Sequence, residues 1–220
     1  MDVTQLIQQL PPYQGNRRLL RKRQSIKDLQ YDMMHKHESN IAQCDIIARY
    51  FWKGNALNTA IFLFDFCKQN LIYKEEGTTG QSVKSIAGIL VEKKGDCKHY
   101  AQFIVGICQA LYKQGYPIWA KYRYVIYSTK PNNDGVRSGH VFAVVIDPVN
   151  NKEYFCDPVL PAFDQRFPKY IKKEDKIPPT CSPLIFVPNK SVAPFVKLET
   201  KEGPLLIVLI DKTSNTFNTS

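Results

Sequence analysis

The stretch from Gly95 to Asp157 restricts the fold most, because helix boundaries and a change of period are both written into it. Asp96 is a good N-cap, the chain then runs without a breaker to Gln114, and Gly115 supplies a stop. Between them Ala101, Ile104, Val105, Cys108, Leu111 and Tyr112 fall on one helical face, so this is a core helix. Past Gly115 the period drops to two. Trp119 to Tyr127 alternates Lys121 and Arg123 with Tyr122, Tyr124 and Ile126, and His140 to Ile146 is an unbroken apolar run suited to a strand covered on both faces. Ser128 to Ser138 between them is a polar loop. A third strand, about Lys152 to Asp157, follows the turn Asp147-Pro148-Val149-Asn150, in which Pro suits the second position. With Asp147 opposite Asn150, His140 lies opposite Asp157; a two-residue slip makes them diagonal neighbours on the same face. The fold class is α+β, with an N-terminal helical layer packed on an antiparallel sheet.

Upstream, helices are expected over Ser39 to Trp52 and Leu57 to Tyr73, separated by Lys53-Gly54-Asn55. In the second, Ala60, Ile61, Phe64, Cys67, Lys68 and Leu71 share one face. Lys74 to Gly80 reads as a loop and Ser82 to Val91 as a short helix. Asn16 to Lys27 carries Arg17, Arg18, Arg21, Lys22, Arg23 and Lys27 with no acidic residue. On a helix these charges wrap most of the circumference, which makes it a solvated first helix or an arm for an acidic partner such as nucleic acid. No RNP-like or helix-turn-helix signature supports the second reading. From Pro158 the chain is rich in proline, Leu205 to Ile210 suits one more strand, and Lys212 to Ser220 reads as a frayed tail. The expected organisation is a basic extension over 1–38, a core over 39–160 and a Pro-rich extension over 161–220.

At 220 residues, 44% of them hydrophobic, the chain is long enough to bury a core and has ordinary globular composition. No repeat of solenoid length is visible. Its longest apolar run, Pro204 to Ile210, is far short of the roughly 20 residues that span a bilayer. Met1 to Leu10 lacks the basic and apolar regions of a secretory signal, so a cytoplasmic protein is expected, with virion association as the other placement. The six cysteines, Cys44, Cys67, Cys97, Cys108, Cys156 and Cys181, form neither a C-x-x-C pair nor a cluster with histidines, so free thiols are expected. The net charge of +10 favours acidic partners without naming one.

Three residues then converge. Cys97 opens a helix, where unpaired amides favour its thiolate, the only form that is a nucleophile. His140 heads a strand, and an imidazole can pair with that thiolate and then protonate a leaving amine. Asp157 stands on the next strand, where a carboxylate beside the second ring nitrogen fixes the ring's tautomer and orientation. His99 is the rival base, but two residues from Cys97 on a helix it points away. Cys156 alternates away from Asp157 and reads as core, and Tyr122, Tyr124 and Tyr127 as sheet packing.

Gly95-Asp96-Cys97-Lys98-His99-Tyr100-Ala101, Gly139-His140-Val141-Phe142 and Tyr154-Phe155-Cys156-Asp157-Pro158, taken in order, resemble the transglutaminase-like superfamily of papain-fold cysteine enzymes. Phe64 to Tyr73 resembles that family's helix before the nucleophile loop, so the likeness covers about Leu57 to Leu160. The texture is also similar to short transglutaminase-like proteins of bacteriophages and prophages. The resemblance implies Cys97 as nucleophile, His140 as base and Asp157 as orienting acid. It further implies acyl transfer on an amide, most simply a cysteine peptidase or amidase acting on a peptide or protein, with transamidation as the variant outcome. A binding or virion-assembly protein that keeps the fold without catalysis is the alternative from another class. The family's oxyanion donor is open among Gln69, Gln81 and Trp52, with the Cys97 backbone N–H beside them. No acidic cluster suggests a calcium site, and no metal or cofactor is expected.

Overall fold

A computed structural model of the protein describes residues 2–15, 18–19, 26–76, 81–131, 137–166, 170–178, 196–200 and 203–207. By contacts the chain divides into two units, Met1–Ser182 and Pro183–Ser220. The first holds α1 (Val3–Gln9), β1 (Arg18–Leu19), α2 (Ile26–Phe51), α3 (Ala56–Asn70), β2 (Ile72–Tyr73), β3 (Ser82–Val83), α4 (Ile86–Glu92) and β4 (Lys94–Gly95). It continues with α5 (Cys97–Lys113), β5 (Trp119–Pro131), β6 (Arg137–Asp147), β7 (Lys152–Cys156) and β8 (Lys172–Lys176). The second unit holds a hairpin of β9 (Val196–Thr200) and β10 (Gly203–Ile207), closed at Thr200 and Gly203. The late strand therefore starts two residues before its expected position, and Lys212 to Ser220 lies outside the described residues.

Helix α5 is the axis of the first unit. Its cap and stop are as the sequence indicates: Asp96 is extended, and Gly115 takes φ +88°, which favours glycine. The one-sided apolar face is too modest a reading, because every residue from Lys98 to Tyr112 is buried. Elements α2, α4, β5 and β6 all pack against it. The approach of α2 depends on Gly106, where a Cβ would stand 2.6 Å from Cys44 Sγ.

Helix α2 starts at Ile26, well before the expected Ser39. Up to Asn40 it buries Gln30, Asp32, His37 and Asn40 beside Met33, so its inward face there has no apolar period to read. Helix α3 is capped by Asn55, whose side chain accepts from Asn58 N at 2.8 Å. Its buried face is Ala56, Thr59, Ala60, Leu63, Phe64, Phe66 and Cys67, while Ile61 and Lys68 face outward, because α3 packs against α2 and α5 as well as β6 and β7. Ser82 and Val83 are not helical: they pair antiparallel with Arg18 and Leu19, and α4 begins only after the Ser85 cap. Within the basic segment, Arg18 and Leu19 are thus extended, contrary to a helix there, and Lys27 lies in α2; the acidic-partner residues Arg17, Arg21, Lys22 and Arg23 fall outside the described residues.

The sheet has the order β7-β6-β5-β8, antiparallel throughout. Strand β8 comes from beyond Pro158. Its sequence, Lys-Lys-Glu-Asp-Lys, has no apolar alternation because it is a charged edge strand held through Asp175, which accepts from Arg123 Nε and Nη2 at 2.7 Å each. The inner face carries Tyr122, Tyr124, Val141, Ala143, Val145 and Cys156 into the main core, with Cys156 Sγ donating to the Ala60 carbonyl. Val125, Phe142, Val144 and Phe155 form a small cluster on the other face. The β6–β7 register pairs Asp147 with Lys152 and Ala143 with Cys156, two residues from the expected one. The loop is longer than a two-residue turn: Asp147 Oδ1 accepts from Val149 N and Asn150 N, and Asn151 closes it at φ +51°. Among the described residues no helix is long and apolar enough to cross a membrane.

Candidate active site

Cys97 is placed by what precedes it. Strand β2 runs parallel to β4, pairing Ile72 with Lys94 and Tyr73 with Gly95, and Lys74 N donates to the Gly95 carbonyl at 2.9 Å. The chain then turns at Asp96 into α5, so Cys97 is the first helical residue, next to the amides that lack intrahelical partners. Cys44, Cys67, Cys108 and Cys156 are buried, whereas Cys97 is partly exposed. Burial pushes the Cys44 and Cys67 thiols well above the usual thiol range, which makes them inert at neutral pH. Cys181 lies outside the described residues.

The register slip of two residues keeps His140 and Asp157 on one face. His140 Nε2 donates to Asp157 Oδ2 at 2.6 Å, and the His140 ring also hydrogen-bonds Cys97. Burial alone would favour the neutral imidazole. The hydrogen bonds to Asp157 and Cys97, with the charges of both, outweigh it and push the ring up to about 10. At neutral pH His140 is therefore an imidazolium. Because the shift is upward, the stability it contributes is complete below pH 6.5 and is lost as pH rises towards 10. The ring stacks on Phe142, with centroids 5.8 Å apart.

Asp157 is 3% exposed and also begins a turn: its Oδ1 accepts from Val159 N at 3.2 Å, and its carbonyl accepts from Leu160 N. Lys68, at the end of α3, ties that turn down by donating to the Pro158 and Leu160 carbonyls at 3.2 and 2.8 Å. Starting a turn and orienting the imidazole are thus both done by one carboxylate.

No family model and no curated protein matches the chain. Three solved structures are similar to parts of it. A candidate protease from Parabacteroides distasonis is 16% identical over 57% of this chain and 26% of its own, with a TM-score of 0.41. A candidate cysteine protease from Cytophaga hutchinsonii is 18% identical over 62% of this chain and 45% of its own, with a TM-score of 0.36. A TGase is 12% identical over 68% of this chain and 37% of its own, with a TM-score of 0.33. This chain spans less than half the length of each.

The rival base is engaged elsewhere. His99 is fully buried, its Nδ1 is 2.8 Å from Asp96 Oδ1, and burial holds its ring below the usual histidine value. Lys98 is 2% exposed and pairs with both Asp96 and Glu76, the latter at 2.9 Å. Glu76 in turn accepts from Ser82 N and Oγ at 2.6 Å each. Donor atoms of Glu76, Asp96 and His99 lie within 4.8 Å of one another, a spacing suited to a metal, and the cation held there is the Lys98 ammonium. This network braces the turn that aims Cys97. Gly95 completes it: a Cβ there would meet His99 Cβ at 2.8 Å, and neither atom can swing aside. Gly95→Ala is expected to lower the unfolding free energy by about 1–3 kcal/mol in a denaturant titration and to slow Cys97 chemistry with it.

Of the oxyanion donors open in the sequence, Trp52 is excluded by position. It packs on Tyr116 with ring centroids 4.9 Å apart, beyond the far end of a 17-residue helix from Cys97, about 25 Å away. Gln69 is exposed on the last turn of α3, and Gln81 is partly buried. In the sequence Tyr73 reads only as the last residue of a helix, whereas α3 ends at Asn70 and Tyr73 is extended in β2. A two-residue parallel strand leaves no periodicity, and only its pairing sets Tyr73 level with Gly95, two residues before Cys97.

Proposed function

We propose that this chain is a thiol-dependent acyl-transfer enzyme of the transglutaminase-like type, most simply a cysteine peptidase or amidase, working through Cys97, His140 and Asp157. One observation carries the reading: an imidazole is held between a partly exposed sulfur at a helix head and a buried carboxylate 2.6 Å from its Nε2. The three groups come from separate elements, and the bond to Asp157 sets which ring nitrogen is left to serve the sulfur.

In this mechanism the Cys97 thiolate attacks the amide carbonyl carbon, the C–S bond forms and the π electron pair moves onto oxygen. As the tetrahedral species collapses, the C–N bond breaks and the His140 imidazolium gives its proton to the departing amine. Water or a second amine then adds to the thioester carbonyl carbon as the neutral ring takes its proton, and the C–S bond breaks with its electron pair returning to the Cys97 sulfur, giving hydrolysis or transamidation. Asp157 keeps the ring in line through both halves. A peptide or protein substrate follows from the resemblance of the three motifs to the family.

The test is a peptide library incubated with wild type and Cys97→Ala, with and without a primary amine, read by mass spectrometry. Cleaved or deamidated peptides with wild type alone are expected, and added amine appearing in the products marks transamidation. Products that persist in Cys97→Ala, or a wild type inert towards every peptide while its thiol is no more reactive than free cysteine, overturn the reading in favour of a binding protein.

A further inference from the structure

Acyl transfer through Cys97 develops negative charge on the substrate carbonyl oxygen, and one backbone N–H is a meagre partner for it. The wall facing the head of α5 is β2. Its backbone is pinned by Ile72 N donating to the Lys93 carbonyl at 2.8 Å and Lys74 N donating to the Gly95 carbonyl at 2.9 Å, so Tyr73 is held level with Gly95, two residues before the nucleophile. The Tyr73 ring lies edge-on to Tyr100, with centroids 6.1 Å apart, and Tyr100 is itself fixed in the first turn of α5 by its hydroxyl bond to the Leu71 carbonyl at 3.1 Å. The ring is thus braced from below.

Tyr73 is 43% exposed. Its surroundings raise the phenol well above its usual range: burial first, then the charges of Cys97, Asp96, Glu75 and Asp157. A phenol kept protonated, held level with Gly95 and half-exposed on this wall, can donate to an anion. We infer that Tyr73 is a catalytic residue whose hydroxyl donates to the substrate oxyanion beside the Cys97 backbone N–H. This rests on Cys97 being the nucleophile as proposed above.

Two small electrophiles separate the roles without knowledge of the natural substrate. With p-nitrophenyl acetate the thiolate adds to the carbonyl carbon, the π pair passes to oxygen, and its return expels p-nitrophenolate, so an oxyanion must form. With iodoacetamide the C–S bond forms as the C–I bond breaks and iodide leaves with the electron pair, so none does. Tyr73→Phe removes only the hydroxyl. It is expected to slow acylation of Cys97 by p-nitrophenyl acetate on the order of 10²-fold while changing alkylation by iodoacetamide less than twofold, with the melting temperature unchanged. Acylation unaffected, or both reactions slowed equally, overturns the assignment; the second outcome makes Tyr73 a residue that tunes the thiolate. If wild-type Cys97 itself alkylates no faster at pH 6 than an unperturbed thiol, the acyl-transfer reading fails first and separately.

Discussion

Replacing His140 with alanine is expected to lower acylation of Cys97 by p-nitrophenyl acetate on the order of 10³-fold and to lower its iodoacetamide rate profile at pH 5 to 6. In wild type the ring is charged at neutral pH, pushed up to about 10 by Asp157 and Cys97 against its burial. Nothing else among the charged groups described around Cys97 can replace it, because Lys98 is committed to Asp96 and Glu76. The contrast is best read at pH 5 to 6, where the His140 ring is charged in the folded chain. Among the described cysteines, peptide mapping should place the label on Cys97, because Cys44, Cys67, Cys108 and Cys156 are buried. A profile that does not move in His140→Ala, or label spread evenly over the cysteines, would remove the imidazole from the mechanism.

The second large effect is on folding. His37 is 1% exposed on α2, with Nδ1 2.8 Å from the Tyr122 hydroxyl and Nε2 against Gln109 Oε1. Burial pushes its ring down to about 4 from 6.5. The unfolded chain takes up this proton as pH falls below 6.5 and the folded chain does not until about pH 4, so stability is lost across that window as acid is added. The loss is about 3 kcal/mol. It should be read as the difference between wild type and His37→Gln in urea unfolding at pH 4 and 7, with the ring's NMR resonance titrating near pH 4. Titration at the ordinary histidine value would contradict it. His140 works in the opposite sense, so the two histidines narrow the pH range of greatest stability from both sides.

Much of this is legible before folding is considered. Asp96 and Gly115 bracket α5 because a cap and a left-handed stop are local devices. The change to period two marks β5, and an unbroken apolar run marks β6, for the same reason. The pairing of His140 with Asp157 survives a misread register because a slip of two preserves the face, whereas a slip of one would have separated them. What the residues hide is whatever depends on contact between distant segments. Lys98 is buried only because Glu76 comes from a loop 22 positions earlier to meet it, and Tyr73 joins the site through a two-residue bridge. The first half of α2 hides because its buried side chains are polar and find partners in other elements, as His37 does in Tyr122 and Gln109.

Helix α5 is enclosed on every side from Lys98 to Tyr112, and the sulfur proposed as nucleophile is fixed to its first residue. A nucleophile mounted on a loop can be retuned by a local fluctuation; one mounted on the most enclosed rod of the molecule can move only if the interior gives way. Amide protons along this rod should therefore exchange with solvent only through whole-molecule opening, and destabilising changes far from the sulfur should be felt as lost turnover in proportion to the fraction of chains that have come apart.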